Sequence, residues 1–466
     1  MKTTFMPTRF VMTLFALALL LPVLAAMAPA ALAQDASPAA SPVEVNTDVS
    51  GTIEVAMVGN PQMNTLNELL PAFNEIYPNV TVNMTIVPEN EVRQIITQDI
   101  STEAGQFDVV TIGTFEVPLW AESGWLEEVG EEAAADPNYN LDDIFQAHID
   151  GLSYDGGLYG LPFYGESSMT FYRTDVFEEA GIEMPERPTW DQIAEYARQV
   201  HNPDEEMYGI CLRGLPGWGQ QLAPLTTVIN AFGGRWYDED WNAQLNSEQS
   251  AGAIDFYINL LKDAGEPAPE QAGFTECQTL FNQGQVAMWY DATSAAELIS
   301  DPDLSTVAED VGYAYAPTQV GQTNWLWNWS FAMASTSEEK EASLAFMTWA
   351  TSNQYLDTVV AERGWGEAPT GARESTYVNE SYLEFAGDFA DIVKNSIEAA
   401  NPSQPTVDPV PYQGGQFVRI PEFQALGDQV SQEFAAAMVD QQSIQEAIDQ
   451  ANQLANDTAE LGGYQS

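Results

Sequence analysis

The side chains of this sequence that could act on a small molecule are carboxylates and indoles. It holds 69 Asp and Glu and 12 Trp, against 14 Lys and Arg, two His and two Cys. His148 and His201 rule out a histidine-rich metal centre, and no G-x-S-x-G, H-E-x-x-H or phosphate-loop pattern occurs. Two carboxyls facing each other across a bond would make a glycoside hydrolase. With acids so abundant any two could be nominated, so no pair stands out. Many run in doublets such as Glu127-Glu128, Glu131-Glu132 and Asp142-Asp143, the pattern of a solvated surface. Asp238-Glu239-Asp240 lacks the turn Gly and distal Glu of a calcium loop and reads as the turn of a hairpin over 235–241. No metal, cofactor or catalytic residue is expected.

The indoles point to binding. Several stand beside glycines or polar residues rather than in apolar runs: Gly217-Trp218-Gly219, Trp325-Leu326-Trp327-Asn328-Trp329 and Gly364-Trp365-Gly366. Carbohydrates present C–H faces, which aromatic rings cover. Their hydroxyl edges are held by carboxylates, amides and Arg. Flanking glycines remove bulk, so Trp218 and Trp365 are expected in a cleft, with Trp327 and Trp329 as further candidates.

The N-terminus reads as an export signal over 1–33. Lys2 and Arg9 precede an apolar run from Phe10 to Ala28, and Ala31-Leu32-Ala33 is a small-residue cleavage site. The run could also span a bilayer as an uncleaved anchor, but Pro22, Pro29 and the triplet favour removal. No Cys lies near the cut to carry a lipid. Residues 34–50, rich in Ala, Ser, Pro and Asp, read as a disordered linker. Without Lys2 and Arg9 the chain has 12 basic against 69 acidic side chains, a balance of −57. Such a field excludes nucleic acid and disfavours anionic lipids and ligands, leaving a neutral or cationic ligand. An oxidising destination permits a disulfide between Cys211 and Cys277, but their spacing does not say whether they meet.

The elements that must position these residues alternate, strand with helix, which implies an α/β class with mainly parallel sheets. The spacing predicts strands over 52–58, 80–87 and 107–112 and helices over 64–77 and 91–101. Further helices are expected over 189–200, 224–231, 247–262, 276–282, 337–351 and much of 424–460, with strands over 208–212, 286–290 and 329–333. Ligands of such sheets lie at strand carboxyl ends, where the loops Gly59–Gln62 and Gly113–Glu116 fall. Arg93 follows another such end. It could face a ligand or simply pair with one of the surplus acids.

Three stretches resemble the first sugar-binding family of extracellular solute-binding proteins, the class of maltose-binding protein. They are QFDVV (106–110), LYGLP (158–162) and FNQGQVAM (281–288). Longer stretches are similar to the sorbitol- and mannitol-binding proteins of bacterial polyol importers: 105–126, 151–175, 208–214, 232–241, 324–330, 405–412 and 416–424. The resemblance implies a two-lobed periplasmic-binding-protein fold of type II, with N-terminal lobe 51–162 plus 331–366 and C-terminal lobe 163–330 plus 367–466. It implies a ligand cleft between the lobes, closing by a hinge. The implied partners are a small neutral carbohydrate or polyol and the membrane permease of an ABC transporter, served by an exported monomer. A cyclic mono- or oligosaccharide is the alternative ligand and a secreted glycoside hydrolase the alternative class. By position the resemblance assigns Asn60, Thr114, Glu116, Tyr164, Glu166 and Asp291 to the site. Glu166 and Asp291 are expected to accept ligand hydroxyls.

Overall fold

The computed structural model describes residues 46–465; the expected leader and linker residues 34–45 lie outside the described residues. Ten strands are present among the described residues: β1 (Gly51–Val58), β2 (Val80–Val87), β3 (Val109–Ile112), β4 (Ser153–Tyr154), β5 (Gly157–Leu158), β6 (Leu161–Glu166), β7 (Ser168–Arg173), β8 (Met288–Ala292), β9 (Val311–Tyr315) and β10 (Trp327–Met333). A five-stranded sheet has the order β2-β1-β3-β10-β6, a three-stranded sheet the order β8-β7-β9, and β4 pairs with β5.

Strand direction departs from the expectation. β1 runs parallel to β2 and β3, but β10 is antiparallel to both its neighbours, and every pair in the three-stranded sheet is antiparallel. An apolar strand buried on both faces has the same composition whichever way its neighbours run. The expected strand over 208–212 is reduced to bridges of Tyr208 with Val286 and Cys211 with Trp289.

The expected helix over 64–77 is two, Pro61–Glu68 and Leu70–Ile76. The apolar spacing runs through the break, but Pro71 has no N–H to continue a helix and fits only in a first turn. Helix Trp190–Val200 opens on a capping box: Gln192 N–H donates to Thr189 Oγ1 at 3.2 Å and Thr189 N–H to Gln192 Oε1 at 2.9 Å. Helices Phe423–Met438 and Ile444–Leu461 pack on each other and on Glu248–Ala264. Asp238 closes the acidic turn by accepting from the Asp240 and Asn242 N–H groups at 3.0 and 2.9 Å. Among the described residues no helix is long and apolar enough to cross a membrane.

The chain first passes between the sheets through one residue. β6 ends at Glu166 and β7 begins at Ser168. Ser167 N–H donates to Thr293 Oγ1 at 3.0 Å, its hydroxyl to the Trp325 carbonyl at 2.9 Å, and Thr293 N–H returns to the Ser167 carbonyl at 2.8 Å. The exit of β6, the exit of β8 and the approach to β10 are thereby tied at one point. The limits 162/163 and 330/331 fall inside β6 and β10, which lie wholly in the five-stranded sheet; the change of sheet comes at Ser167 and before Trp327. Cys211 and Cys277 form a disulfide with Cα atoms 5.6 Å apart, tying the 211 segment to helix Phe274–Asn282.

Candidate functional site

The ends of β1, β2 and β6, the approach to β10 and loops beside the three-stranded sheet converge on a cavity of about 170 Å³. That is below the roughly 300–1,000 Å³ of drug-sized sites and suits one small molecule.

Its polar groups are fixed by their own bonds. Asn60 caps helix Pro61–Glu68, accepting from Met63 N–H at 3.0 Å, and its amide donates to Tyr164 Oη at 2.9 Å. Glu166 accepts from Ser294 Oγ at 2.5 Å. Burial pushes the Glu166 carboxyl up to about 7, against the opposing pull of Ser294 and Arg213, so near neutral pH it offers both donor and acceptor forms. Arg213 is pinned by Asp291 through Nε–Oδ2 at 2.9 Å and Nη2–Oδ1 at 2.5 Å, and by the Gly219 carbonyl at 3.0 Å. Burial alone would lower its pKa, but Asp291 more than offsets this and raises it. Its remaining N–H groups are available to the cavity. Glu89 joins Arg93 at 2.9 Å to Gln220 at 2.9 Å.

The apolar wall is made of indoles. The Arg93 guanidinium lies 4.1 Å over Trp218, 4.8 Å over Trp329 and 5.1 Å over Trp327, a cation–π cage. Glu116 holds the same guanidinium from behind at 2.6 Å. Trp218 Nε1, Trp325 Nε1 and Gln416 Oε1, all on cavity-lining residues, are buried with no hydrogen-bond partner among the described residues. An unpaired buried polar atom costs about 1–3 kcal/mol.

Asn60, Arg93, Tyr164, Glu166, Trp218, Trp327 and Trp329 line the cavity; Thr114, Glu116, Asp291 and Trp365 do not. Thr114 donates to the Leu326 carbonyl at 3.2 Å. Glu116 serves Arg93 and the Gly113 N–H. Asp291 is corrected from a hydroxyl acceptor to a buried anchor: Arg213, Trp289 Nε1–H and its neighbouring Ala292 N–H occupy both oxygens. Trp365 packs 5.0 Å from Tyr382 and donates to Ser381, outside the cavity despite its flanking glycines. Sequence reasoning missed Glu89, Arg213, Gln220, Phe274, Ser294, Trp325 and Gln416. Two signals were present: Arg213 is one of few cations, and Trp325 belongs to the same indole run as Trp327 and Trp329.

Residues 59–356 match the family described as bacterial extracellular solute-binding protein. The chain is 42% identical over 415 residues to a mannitol-binding protein of Pseudomonas aeruginosa, covering 89% of this chain and 94% of that one. A crystal structure of an ABC transporter solute-binding protein from Agrobacterium vitis S4 with bound D-mannitol superposes with TM-score 0.87 at 41% identity, covering 89% of this chain and 100% of the other. One from Agrobacterium radiobacter K84, in complex with ribitol, shares the fold with TM-score 0.78 at 22% identity, covering 89% and 100%.

Proposed function

This chain belongs to the bacterial extracellular solute-binding protein family, and from that premise we propose that it is the receptor of an ABC importer for a sugar alcohol of the mannitol or sorbitol type. The observation that carries the reading is a small cavity whose hydroxyl-matching residues, Arg213, Glu166 and Asn60, sit inside a wall of tryptophans. Near-full-length likeness to mannitol-binding proteins supports it. A linear polyol loses rotational freedom on binding. Groups already fixed by Asp291, Ser294 and Tyr164 lose little of their own.

Ring stacking of a cyclic sugar is the weaker reading, because Arg93 already covers Trp218, Trp327 and Trp329. The family consists of receptors, and no residue here is given a catalytic role. The two lobes close about the Ser167–Thr293–Trp325 junction, and ligand favours the closed arrangement by its differential affinity. The exported monomer, in the periplasm or at the outer face of the cell envelope, then docks on a membrane permease.

Titration calorimetry with mannitol, sorbitol, ribitol and maltose tests this. Saturable binding of a hexitol that is recovered unchanged is expected. Binding of maltose with no response to any polyol would remove the polyol assignment, and consumption of ligand would remove the receptor assignment.

A further inference from the structure

Asn90, Arg93 and Trp218 line two cavities at once. On one side is the ligand cavity; on the other an open groove of about 620 Å³ between helices Glu89–Thr102 and Phe423–Met438. These three residues are the partition between them, and it is held shut by direct bonds. The Asn90 amide donates to the Pro216 carbonyl at 3.0 Å. Arg93 is clamped by Glu89 and Glu116 while it lies on Trp218. Gly217, at φ +147°, lets the facing loop approach this closely: a Cβ there would stand 2.7 Å from Asn90 Oδ1.

The groove behind the partition is built of neutral amides. Gln94, Gln98, Gln424, Gln429 and Gln432 line it, and its only charged residues are Arg93 and Asp428. In a chain with 69 acidic residues this is a local exception. Thr97 Oγ1 donates to Gln424 Oε1 at 3.2 Å across its two helical walls. Carboxamides both donate and accept, which is what hydroxyls need.

We infer that the Asn90–Arg93–Trp218 partition is a size filter. It restricts the site to free polyols, and the groove beyond it is a closed-off subsite for a neutral glycosyl extension of the same ligand. The inference rests on the polyol reading above. Opening the partition would join the two spaces and admit a glycosylated alditol.

The test is calorimetry of the exported chain with D-mannitol and with maltitol, a glucosyl-sorbitol. The parent should prefer mannitol by 100-fold or more. Asn90→Ala and the double variant Arg93→Ala/Glu116→Gln should each reduce that preference; the second removes the more deeply buried of the two carboxylates that pair with Arg93, while Glu89 keeps its bond from Gln220. A tenfold drop is expected for the double variant and a threefold drop for Asn90→Ala. Asn90 is half-buried and its side chain makes one bond to the facing loop, so that variant folds and can be read whatever becomes of the other. Adding the exposed substitution Gln94→Trp, which fills the groove, should restore the preference. A parent that binds both ligands alike overturns the filter. So does a preference unmoved in every folded variant, or one that Gln94→Trp does not restore. A parent that binds no polyol at all is a different result, and removes the underlying reading.

Discussion

Glu166 and Asp291 are both carboxylates at strand ends, and their environments give them different work. Glu166 lines the cavity with one bond from Ser294; Asp291 is wholly enclosed behind Arg213. Hydrogen bonds to charged groups contribute about 1.5–3 kcal/mol, so Glu166→Ala should weaken polyol binding at least tenfold by calorimetry. The surface control Glu131→Ala should change nothing measurable. Asp291→Ala should also weaken binding, through a loosened Arg213. It should in addition lower stability by about 3–5 kcal/mol in denaturant melts, because it leaves a buried guanidinium unpaired. The loop that holds Asn60 was legible because the end of the first strand can be read from the apolar pattern, whereas Glu166 was reached only through the family resemblance. The role of Asp291 was not: its partner lies 78 residues away, and no local pattern carries that distance.

At the scale of elements, periodicity located the helices it predicted within a few residues but not their interruptions or partners, and it left others such as Asn353–Arg363 and Ala390–Ala399 unread. Pro71 splits one helix, and the antiparallel return of β10 has no signature in its own composition. The pairing of Cys211 with Cys277 was equally unreadable, since it is set by how helix Phe274–Asn282 packs. That bond closes a loop of 66 residues, worth roughly 4 kcal/mol on the chain-entropy account. Cys211→Ala/Cys277→Ala should therefore lower the urea midpoint strongly. Both cysteines are fully buried, so the native parent should keep the bond in dilute reductant, as free-thiol labelling would check.

At the scale of the whole molecule, acidity governs the response to pH. Burial raises Glu166 and Glu297 to about 7 and Glu266 to about 8, from an ordinary 4.5. Between the ordinary and folded values the folded chain holds protons that the unfolded chain releases, so stability falls as pH rises through that window. His148 acts oppositely: burial lowers it to about 4, so acidification below its ordinary 6.5 favours the unfolded chain. Three carboxyls outweigh one imidazole, and discharging surface acids adds to them. The melting temperature should rise from pH 8 to pH 5.5, and Glu266→Gln with Glu297→Gln should flatten the profile. The surplus charge was legible from composition; which acids are buried was not, because burial belongs to the packed whole. Ligand at 100 times its dissociation constant should add about 2.7 kcal/mol at any of these pH values.

Trp218, Trp325, Trp327 and Trp329 all border the same small space. Indole emission shifts to shorter wavelength as water leaves its surroundings, and a cation held against a ring quenches it. A polyol bound in this space would lie against these rings, so binding should change the intrinsic tryptophan emission of the purified protein. The purified protein therefore carries an optical gauge of its own occupancy that needs no label.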